Sequence, residues 1–256
     1  MIKKFLSQEE CELLKADYWV QSHCYQEKNN YNLVASNRLL ESVKEKVNAC
    51  LADIKETTAL DVDTLIGTSN YYHNIISARD YYHQDHESFY FWQQNKNFLN
   101  FWIPIDKPNP TESGLIVIPM DKLAELIPND MHRVINNGAT AYYPKSDHTV
   151  VINNNDGSEY AFDVDISSIE VVPELCAGDL LLMRGDLIHK TQNTSIPRLA
   201  ISIRCTQGSA PINKSVLLNG CTAKKKLLAG SPGRMKRLLT KFKDLGRDII
   251  TSKELL

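Results

Sequence analysis

The sequence lacks the cysteine patterns that mark metal-binding or redox-active thiols. Six cysteines occur in 256 residues, and none of them forms a Cys-x-x-Cys pair. Neither a zinc ribbon nor a dithiol redox motif is therefore indicated, and we expect reduced thiols.

Long apolar runs are also missing. No stretch approaches the roughly 18 apolar residues that a membrane span needs. The N-terminus turns acidic at Glu9 and Glu10 before any apolar core develops, which argues against a secretory signal. We predict no membrane span and a cytoplasmic location.

An excess of charge of either sign is absent too. The formal net charge of −2 gives no general attraction to nucleic acid or to anionic membranes, so we expect no nucleic-acid partner. With 43% hydrophobic residues in 256, the chain can bury a large core within a single β-rich domain.

Two helices are predicted near the N-terminus. Ser7 followed by Glu10 forms a capping box, because the hydroxyl and the carboxylate can each accept a hydrogen bond from the other residue's backbone N–H. Apolar residues then repeat every three or four positions over residues 37–55, which predicts an amphipathic helix. We expect both helices to lie against the outside of a sheet.

From Thr64 onward the pattern changes to short β-branched and aromatic runs separated by turn residues. Strands are predicted at residues 65–78, 98–105, 115–118, 149–153, 160–164, 169–172, 179–183 and 199–205. Asp156-Gly157 predicts a hairpin turn, because this pair tolerates the positive φ angles that such turns require. Many short strands indicate a sandwich or barrel.

The tail, residues 222–256, differs from the β-rich part at 1–221. Lysines and arginines accompany leucines at helical spacing, which predicts a basic amphipathic helix. We expect its apolar face to pack on the same domain. Docking of an anionic partner, such as a carrier protein, a coenzyme A ester or a phospholipid surface, is the alternative.

The most informative motif is His83-Gln84-Asp85, with His189 far downstream at the end of an apolar run. In an extended strand, His83 and Asp85 project to one side while Gln84 points to the other. Two histidines and one carboxylate that leave positions open for other ligands form the facial set of non-haem Fe(II) oxygenases. The sequence therefore indicates an oxygenase.

Further segments follow the same order as in a known family. They are the opening segment Phe5-Leu-Ser-Gln-Glu-Glu10, Trp102-Ile-Pro-Ile-Asp106, Glu112-Ser-Gly-Leu-Ile-Val-Ile-Pro119, the strand after Gly178-Asp179, and Arg198 shortly after His189. Over roughly residues 5–205 the chain resembles the phytanoyl-CoA dioxygenase-like branch of the Fe(II)/2-oxoglutarate dioxygenases.

The resemblance implies a mainly β fold with flanking helices, the double-stranded β-helix or jelly roll that is also found in cupins. It implies that His83, Asp85 and His189 bind Fe(II) and that Arg198 binds the distal carboxylate of 2-oxoglutarate. Arginine suits this task because its planar guanidinium matches a carboxylate and stays charged. The expected reaction uses O2 to hydroxylate a small metabolite or natural-product intermediate, with 2-oxoglutarate converted to succinate.

One segment departs from the family pattern. Members usually continue from Ile-Pro into Gly-Ser-His, whereas this chain continues from Pro119 into Met120 and Asp121. We therefore expect the loop over the site to differ from that of the family. Asp85 is retained, and because related halogenases replace this carboxylate by a small residue, it favours hydroxylation over halogenation.

Several polar residues are secondary candidates. Ser202 lies two strand periods beyond Arg198, on the same face. Asn70 lies on the strand that leads into the first ligands, and Asn100 faces inward on the strand after them. We expect these three to assist 2-oxoglutarate binding, as polar residues at similar places do in similar enzymes. His86, Trp102 and Arg204 are candidates for substrate contact. A water-facing His86 and a salt-bridged Arg204 are the alternatives.

Two other functions remain open at this point. A cupin-like binding protein or isomerase would have the same fold without a cosubstrate, and would not need Arg198. A zinc hydrolase using His83, Asp85 and His86 would make His189 dispensable.

Overall fold

The computed structural model describes residues 1–23, 30, 33–65, 70–75, 81–85, 97–135, 137–192, 196–220 and 232–255. The helices are α1 Gln8–Ser22, α2 Asn37–Thr57, α3 Met120–Leu126, α4 Lys214–Asn219, α5 Pro232–Leu245 and α6 Ser252–Leu255. The strands are β1 Thr64–Leu65, β2 Asn70–Asn74, β3 Tyr82–His83, β4 Phe98–Asp106, β5 Leu115–Val117, β6 Thr140–Pro144, β7 Thr149–Asn153, β8 Glu159–Phe162, β9 Leu181–Arg184, β10 His189–Thr191, β11 Arg198–Thr206, β12 Pro211–Asn213 and β13 Ile249–Thr251.

Two antiparallel sheets form the body of the described part. The first contains β1, β2, β4, β9 and β11, and the second contains β3, β5, β6, β7, β8 and β10. An apolar cluster takes residues from both sheets, among them Trp102 and Ala200 from the first and Leu115 and Val117 from the second. The inner faces of the sheets therefore pack against each other, which agrees with the predicted jelly roll.

Helices α1 and α2 cover the outer face of the first sheet. Leu14 and Val47 lie in one buried cluster with Phe101, Ile103 and Ile203 of β4 and β11. Alternate residues of each strand thus face the helices, and the residues between them face the other sheet. The predicted capping box is present, since the Glu10 backbone N–H donates to Ser7 Oγ and the Ser7 N–H donates to Glu10 Oε2.

The outer face of the second sheet is covered by the segment that departs from the family pattern. Met120 begins α3 there, and Leu123 and Val134 pack with Tyr82 and Tyr142 of β3 and β6. This helix is not predicted by the sequence pattern. Seven residues are too few to show an amphipathic period, so packing on the sheet decides their conformation.

The strand predicted at residues 169–172 is wrong. Residues Ile166–Ile169 form a short 3₁₀-helix, and Val171 makes only an isolated bridge to Val117. The Asp165 side chain accepts a hydrogen bond from the Ser167 backbone N–H, and such a local bond competes with strand pairing.

The other strand predictions differ mainly in their ends. The strand predicted at 65–78 is found as β1 and β2, with residues 66–69 and 76–78 outside the described part. The strand predicted at 179–183 begins later, at Leu181, because Gly178 takes a positive φ of 84° in a turn. The extended strand expected at His83 is found as β3, which ends at His83. Strands β6, β10, β12 and β13 were not predicted, since most are too short to show a period of two.

The predicted basic helix is found as α5 in the C-terminal part. Residues 221–231 lie outside the described part. Phe242 of α5 is buried, and β13 pairs with β12. The division into residues 1–221 and a tail stays a prediction. None of the described helices combines the length and the apolar character that crossing a membrane requires.

Burial on α1 predicts a large difference between two adjacent leucines. Leu14 is 1% exposed and Leu13 is 49% exposed. Leu14→Ala should lower the free energy of unfolding by about 2–5 kcal/mol, because it removes buried methyl groups and leaves a cavity. Leu13→Ala is the matched control and should change it by less than about 1 kcal/mol. Urea unfolding measures both, and equal losses would contradict the packing of α1.

Candidate metal centre

His83, Asp85 and His189 come together between the two sheets. Each offers one possible ligand atom, and these atoms all lie within 4.8 Å of one another. Asp85 and His189 are buried and His83 is partly buried. The expected convergence of these three residues, which are distant in the sequence, is therefore found.

The pairing of β3 with β10 places the two imidazoles side by side. His83 and His189 are direct partners across this antiparallel pair, and their ring centroids lie 4.5 Å apart. Directly opposed residues project to the same face of a sheet. Tyr82 packs in the outer cluster, so His83 faces the space between the sheets.

The hydrogen bond of His189 determines which nitrogen faces the cluster. Nδ1 lies 2.9 Å from the Leu187 carbonyl oxygen, to which a protonated Nδ1 donates, and this leaves the Nε2 lone pair available for a metal. Nε2 lies 4.0 Å from Asp85 Oδ1, too far for a hydrogen bond. Two imidazoles and a carboxylate are ligands that divalent transition metals accept. The residues present therefore suit a divalent metal.

The second oxygen of Asp85 is held by the other sheet. Asn100 Nδ2 donates to Asp85 Oδ2 over 3.2 Å, and Ser202 Oγ donates to Asn100 Oδ1 over 2.6 Å. Both residues lie on the inner face, as their strand positions predicted. The chain from Ser202 through Asn100 to Asp85 orients the carboxylate so that Oδ1 faces His189.

Arg198 lies on the inner face of the first sheet, where it is only 2% exposed. Its guanidinium carbon lies 4.9 Å from the centroid of the Trp102 ring, a distance typical of a cation–π contact. Trp102 is itself buried, so the ring supports the guanidinium and limits its orientations.

Lys107 adds a second buried cation to this end of the sheets. Its Nζ donates to the carbonyl oxygens of Asn109, Pro110 and Leu175. Burial first, and then the charge of Arg198, lower the pKa of Lys107 to about 8. Arg198 therefore lies close enough to Lys107 for the two charges to interact.

The remaining secondary candidates occupy different places. Asn70 pairs with Ser202 across β2 and β11, on the same inner face. Arg204 is a cross-strand partner of Asn100 and donates to the Tyr72 hydroxyl over 3.0 Å. His86 lies outside the described residues.

Gln84 is a residue of the site that sequence reasoning passed over. Its side chain is fully buried, points away from the two ligands as predicted, and its Nε2 donates to the carbonyl oxygens of Val134 and Asp186, each over 2.8 Å. Asp186 lies in the segment that leads to His189, so Gln84 connects the two ligand-bearing segments. The sequence does carry a signal for this role. Strand alternation directs the Gln84 amide into the outer apolar layer, where a buried amide needs hydrogen-bond partners.

Two tyrosines lie beside His83. The Tyr81 ring centroid is 6.1 Å from that of His83 and 5.2 Å from that of Tyr143. Both tyrosines are partly buried. Tyr81 is close to His83 in the sequence, whereas Tyr143 lies on β6 and only the fold brings it here.

The position of Gln84 predicts a coupled loss of stability and metal affinity. Gln84→Met preserves much of the volume but leaves two buried carbonyl groups without their donor, so the free energy of unfolding should fall by about 2–4 kcal/mol. Co(II) affinity should fall too, because the His83 and His189 segments lose a connection. Urea unfolding and Co(II) titration measure these effects. The control is Gln8→Met at the start of α1, which is exposed and should change neither by much.

Comparison with solved structures identifies the fold. EctD from S. alaskensis in its apoform covers 83% of this chain and 74% of its own, with 14% identity and a TM-score of 0.50. The same protein with 2-oxoglutarate and 5-hydroxyectoine covers 83% and 73%, with 13% identity and a TM-score of 0.50. EvdO2 from Micromonospora carbonacea var. aurantiaca covers 79% and 83%, with 15% identity and a TM-score of 0.50. At such identities the likeness shows the fold alone.

The sequence comparisons are more decisive about the family. No curated protein matches the chain. The family model of phytanoyl-CoA dioxygenase matches residues 1–200, which include the His83, Asp85 and His189 cluster and Arg198. Iron and 2-oxoglutarate are the cofactors of this family, and the cluster suits the metal. The chain belongs to the phytanoyl-CoA dioxygenase family of Fe(II)- and 2-oxoglutarate-dependent oxygenases.

Proposed function

We propose that this chain hydroxylates a small metabolite or natural-product intermediate. The observation that carries the proposal is the cluster of His83, Asp85 and His189 with the buried cation Arg198 on the inner face of the opposite sheet. A binding protein or isomerase of the same fold has no need for such a cation. The oxygenase reaction requires one to hold the distal carboxylate of its cosubstrate.

The three ligands would hold Fe(II), and Arg198 would bind the distal carboxylate of 2-oxoglutarate. When bound, the metal and cosubstrate supply the oxidation of a C–H bond by O2, with 2-oxoglutarate converted to succinate and carbon dioxide. The protein supplies orientation. His189 presents Nε2 because Nδ1 is engaged, and Asn100 keeps Asp85 Oδ1 directed at the same point.

Other residues on the inner face would position the reactants. Asn100, Ser202 and Asn70 lie in a row beside Asp85, so they can contact the cosubstrate as well as one another. Tyr81 and Tyr143 would limit the access of water to the metal. We assign His86, Trp102 and Arg204 to substrate contact. Trp102 would contact the substrate while its ring also packs against the Arg198 guanidinium.

The retained carboxylate supports hydroxylation over halogenation. Asp85 occupies the place of a third protein ligand, and a halide would need that place vacated. The reaction also depends on where the substrate's C–H bond lies relative to the metal, which is a property of the complex.

The location and partners follow from composition and surface. We propose a cytoplasmic enzyme whose basic helix α5 receives a carrier-bound or coenzyme A-linked substrate. Lys236, Arg237, Lys241 and Lys243 are exposed on this helix, while Phe242 packs inward. Exposed cations on a packed helix can bind phosphate groups.

The zinc hydrolase is the second candidate, and the cluster weighs against it. It would use His83, Asp85 and His86, yet His189 lies directly opposite His83 with its Nε2 facing Asp85. A dispensable His189 would not need a hydrogen bond that fixes its orientation.

The proposed chemistry predicts a spectral signature and a product. Anaerobic addition of Fe(II) and 2-oxoglutarate to metal-free protein should give the iron–cosubstrate charge-transfer band, and exposure to O2 should then yield succinate. Asp85→Ala should abolish both, because it removes one ligand. Asp147→Ala is the control, since Asp147 is exposed and lies outside the cluster. Tight zinc binding without the band would favour the hydrolase.

The role of Arg198 predicts a separation between cosubstrate affinity and metal affinity. Arg198→Leu should raise the 2-oxoglutarate Kd by about tenfold or more, because a charge-assisted bidentate contact is lost. Co(II) affinity should stay within about twofold, since Arg198 is not a ligand. Titration of the charge-transfer band measures the first and Co(II) absorbance the second. Arg237→Leu, on the exposed face of α5, should change neither, and an unaltered Kd in Arg198→Leu would refute the assignment.

A further inference from the structure

Asn74 lies beside Arg198 on the inner face of the first sheet. The two residues are direct cross-strand partners in the antiparallel pair of β2 and β11. Tyr71 and His73 bond to α1 through Asp17 and Tyr18, so their side chains point outward. Alternation along β2 therefore directs Asn74 inward.

The Asn74 amide is buried without a partner among the described residues. The residue is 1% exposed, and neither Nδ2 nor Oδ1 has a hydrogen bond. Buried amides are hydrogen-bonded in most proteins, and an unsatisfied one calls for a cause. Asn100 lies on the same inner face, and both polar atoms of its amide are hydrogen-bonded. The absence of hydrogen bonds at the Asn74 amide is therefore particular to its position.

The surroundings indicate what this amide receives. Arg198 lies opposite Asn74, and its guanidinium is held against the Trp102 ring. An N–H donor beside a buried cation suits an anion with several acceptor oxygens. Because Asn74 is neutral, it can donate to such an anion without neutralising the charge of Arg198, as an aspartate at this position would.

We propose that Asn74 is a specificity residue that donates its Nδ2–H to the distal carboxylate held by Arg198. The inference rests on the proposed function and deepens it, since it concerns the choice of cosubstrate. Asn74 and Arg198 together select a dicarboxylic 2-oxo acid over a monocarboxylic one. A monocarboxylic acid of equal length has no group to receive the amide N–H.

Two cosubstrates of equal chain length test the proposal. The Kd values of 2-oxoglutarate and 2-oxopentanoate are measured by anaerobic titration of the Fe(II)-loaded protein, with the charge-transfer band as the signal. Asn74→Leu should raise the 2-oxoglutarate Kd by about tenfold or more, because one charge-assisted hydrogen bond is lost. The Kd of 2-oxopentanoate should not change by more than about twofold.

Asn74→Asp tests the effect of a negative charge at this position, with a side chain of nearly the same shape. Its carboxylate should repel the distal carboxylate and pair with Arg198, so 2-oxoglutarate binding should fall further than in Asn74→Leu. Binding of 2-oxopentanoate should persist. Asn129→Leu, at an exposed asparagine, is the control and should preserve both affinities.

Each other outcome has a defined meaning. An unchanged 2-oxoglutarate Kd in Asn74→Leu, or an equal loss for both acids, would overturn the specificity role. Circular dichroism checks that each variant folds, and Asn74→Ala replaces Asn74→Leu if the larger side chain prevents folding. If the wild-type protein binds neither acid, the proposed function fails instead, and Asn74 is then not the cause.

Discussion

The register between β3 and β10 is the constraint on which the candidate metal centre depends. His83 and His189 meet because they are direct partners across this antiparallel pair. A slip of one residue would turn one imidazole to the outer face, since side chains alternate along a strand. Two contacts hold the register: the pairing of β10 with β5, and the hydrogen bond that Gln84 Nε2 donates to the Asp186 carbonyl oxygen.

Both sheets contribute polar side chains to the interface between them. The second sheet supplies the histidines, and the first supplies Asn100 and Ser202, which orient Asp85, and Arg198 with its neighbour Asn74. Polar groups are expensive to bury unless they are bonded, so most of these groups have partners. Among the described residues, the Asn74 amide is an exception, because neither of its polar atoms has a hydrogen-bond partner. It lies beside Arg198, the cation that the family resemblance assigns to the cosubstrate.

The predicted elements that agree with the structure are those with strong local signals. The capping box at Ser7, the period of the second helix and the hairpin turn at Gly157 each arise from neighbouring residues. The strand predicted at 169–172 is wrong because a local hydrogen bond, which the Ser167 backbone N–H donates to the Asp165 side chain, competes with strand pairing. Helix α3 and the shortest strands were passed over because packing determines them, and a few residues carry no period.

The sequence by itself determined the family, the three candidate ligands and the cation that follows the last of them, because these depend on residue types in a fixed order. Alternation along a strand also placed Asn100, Ser202 and Arg204 on the inner face. Only the tertiary structure decided that Gln84 connects the ligand segments, that Tyr143 lies beside Tyr81, and that Asn74 is opposite Arg198. These relations join residues that are distant along the chain, and strand register, which arises from packing of the whole sheet, brings them together.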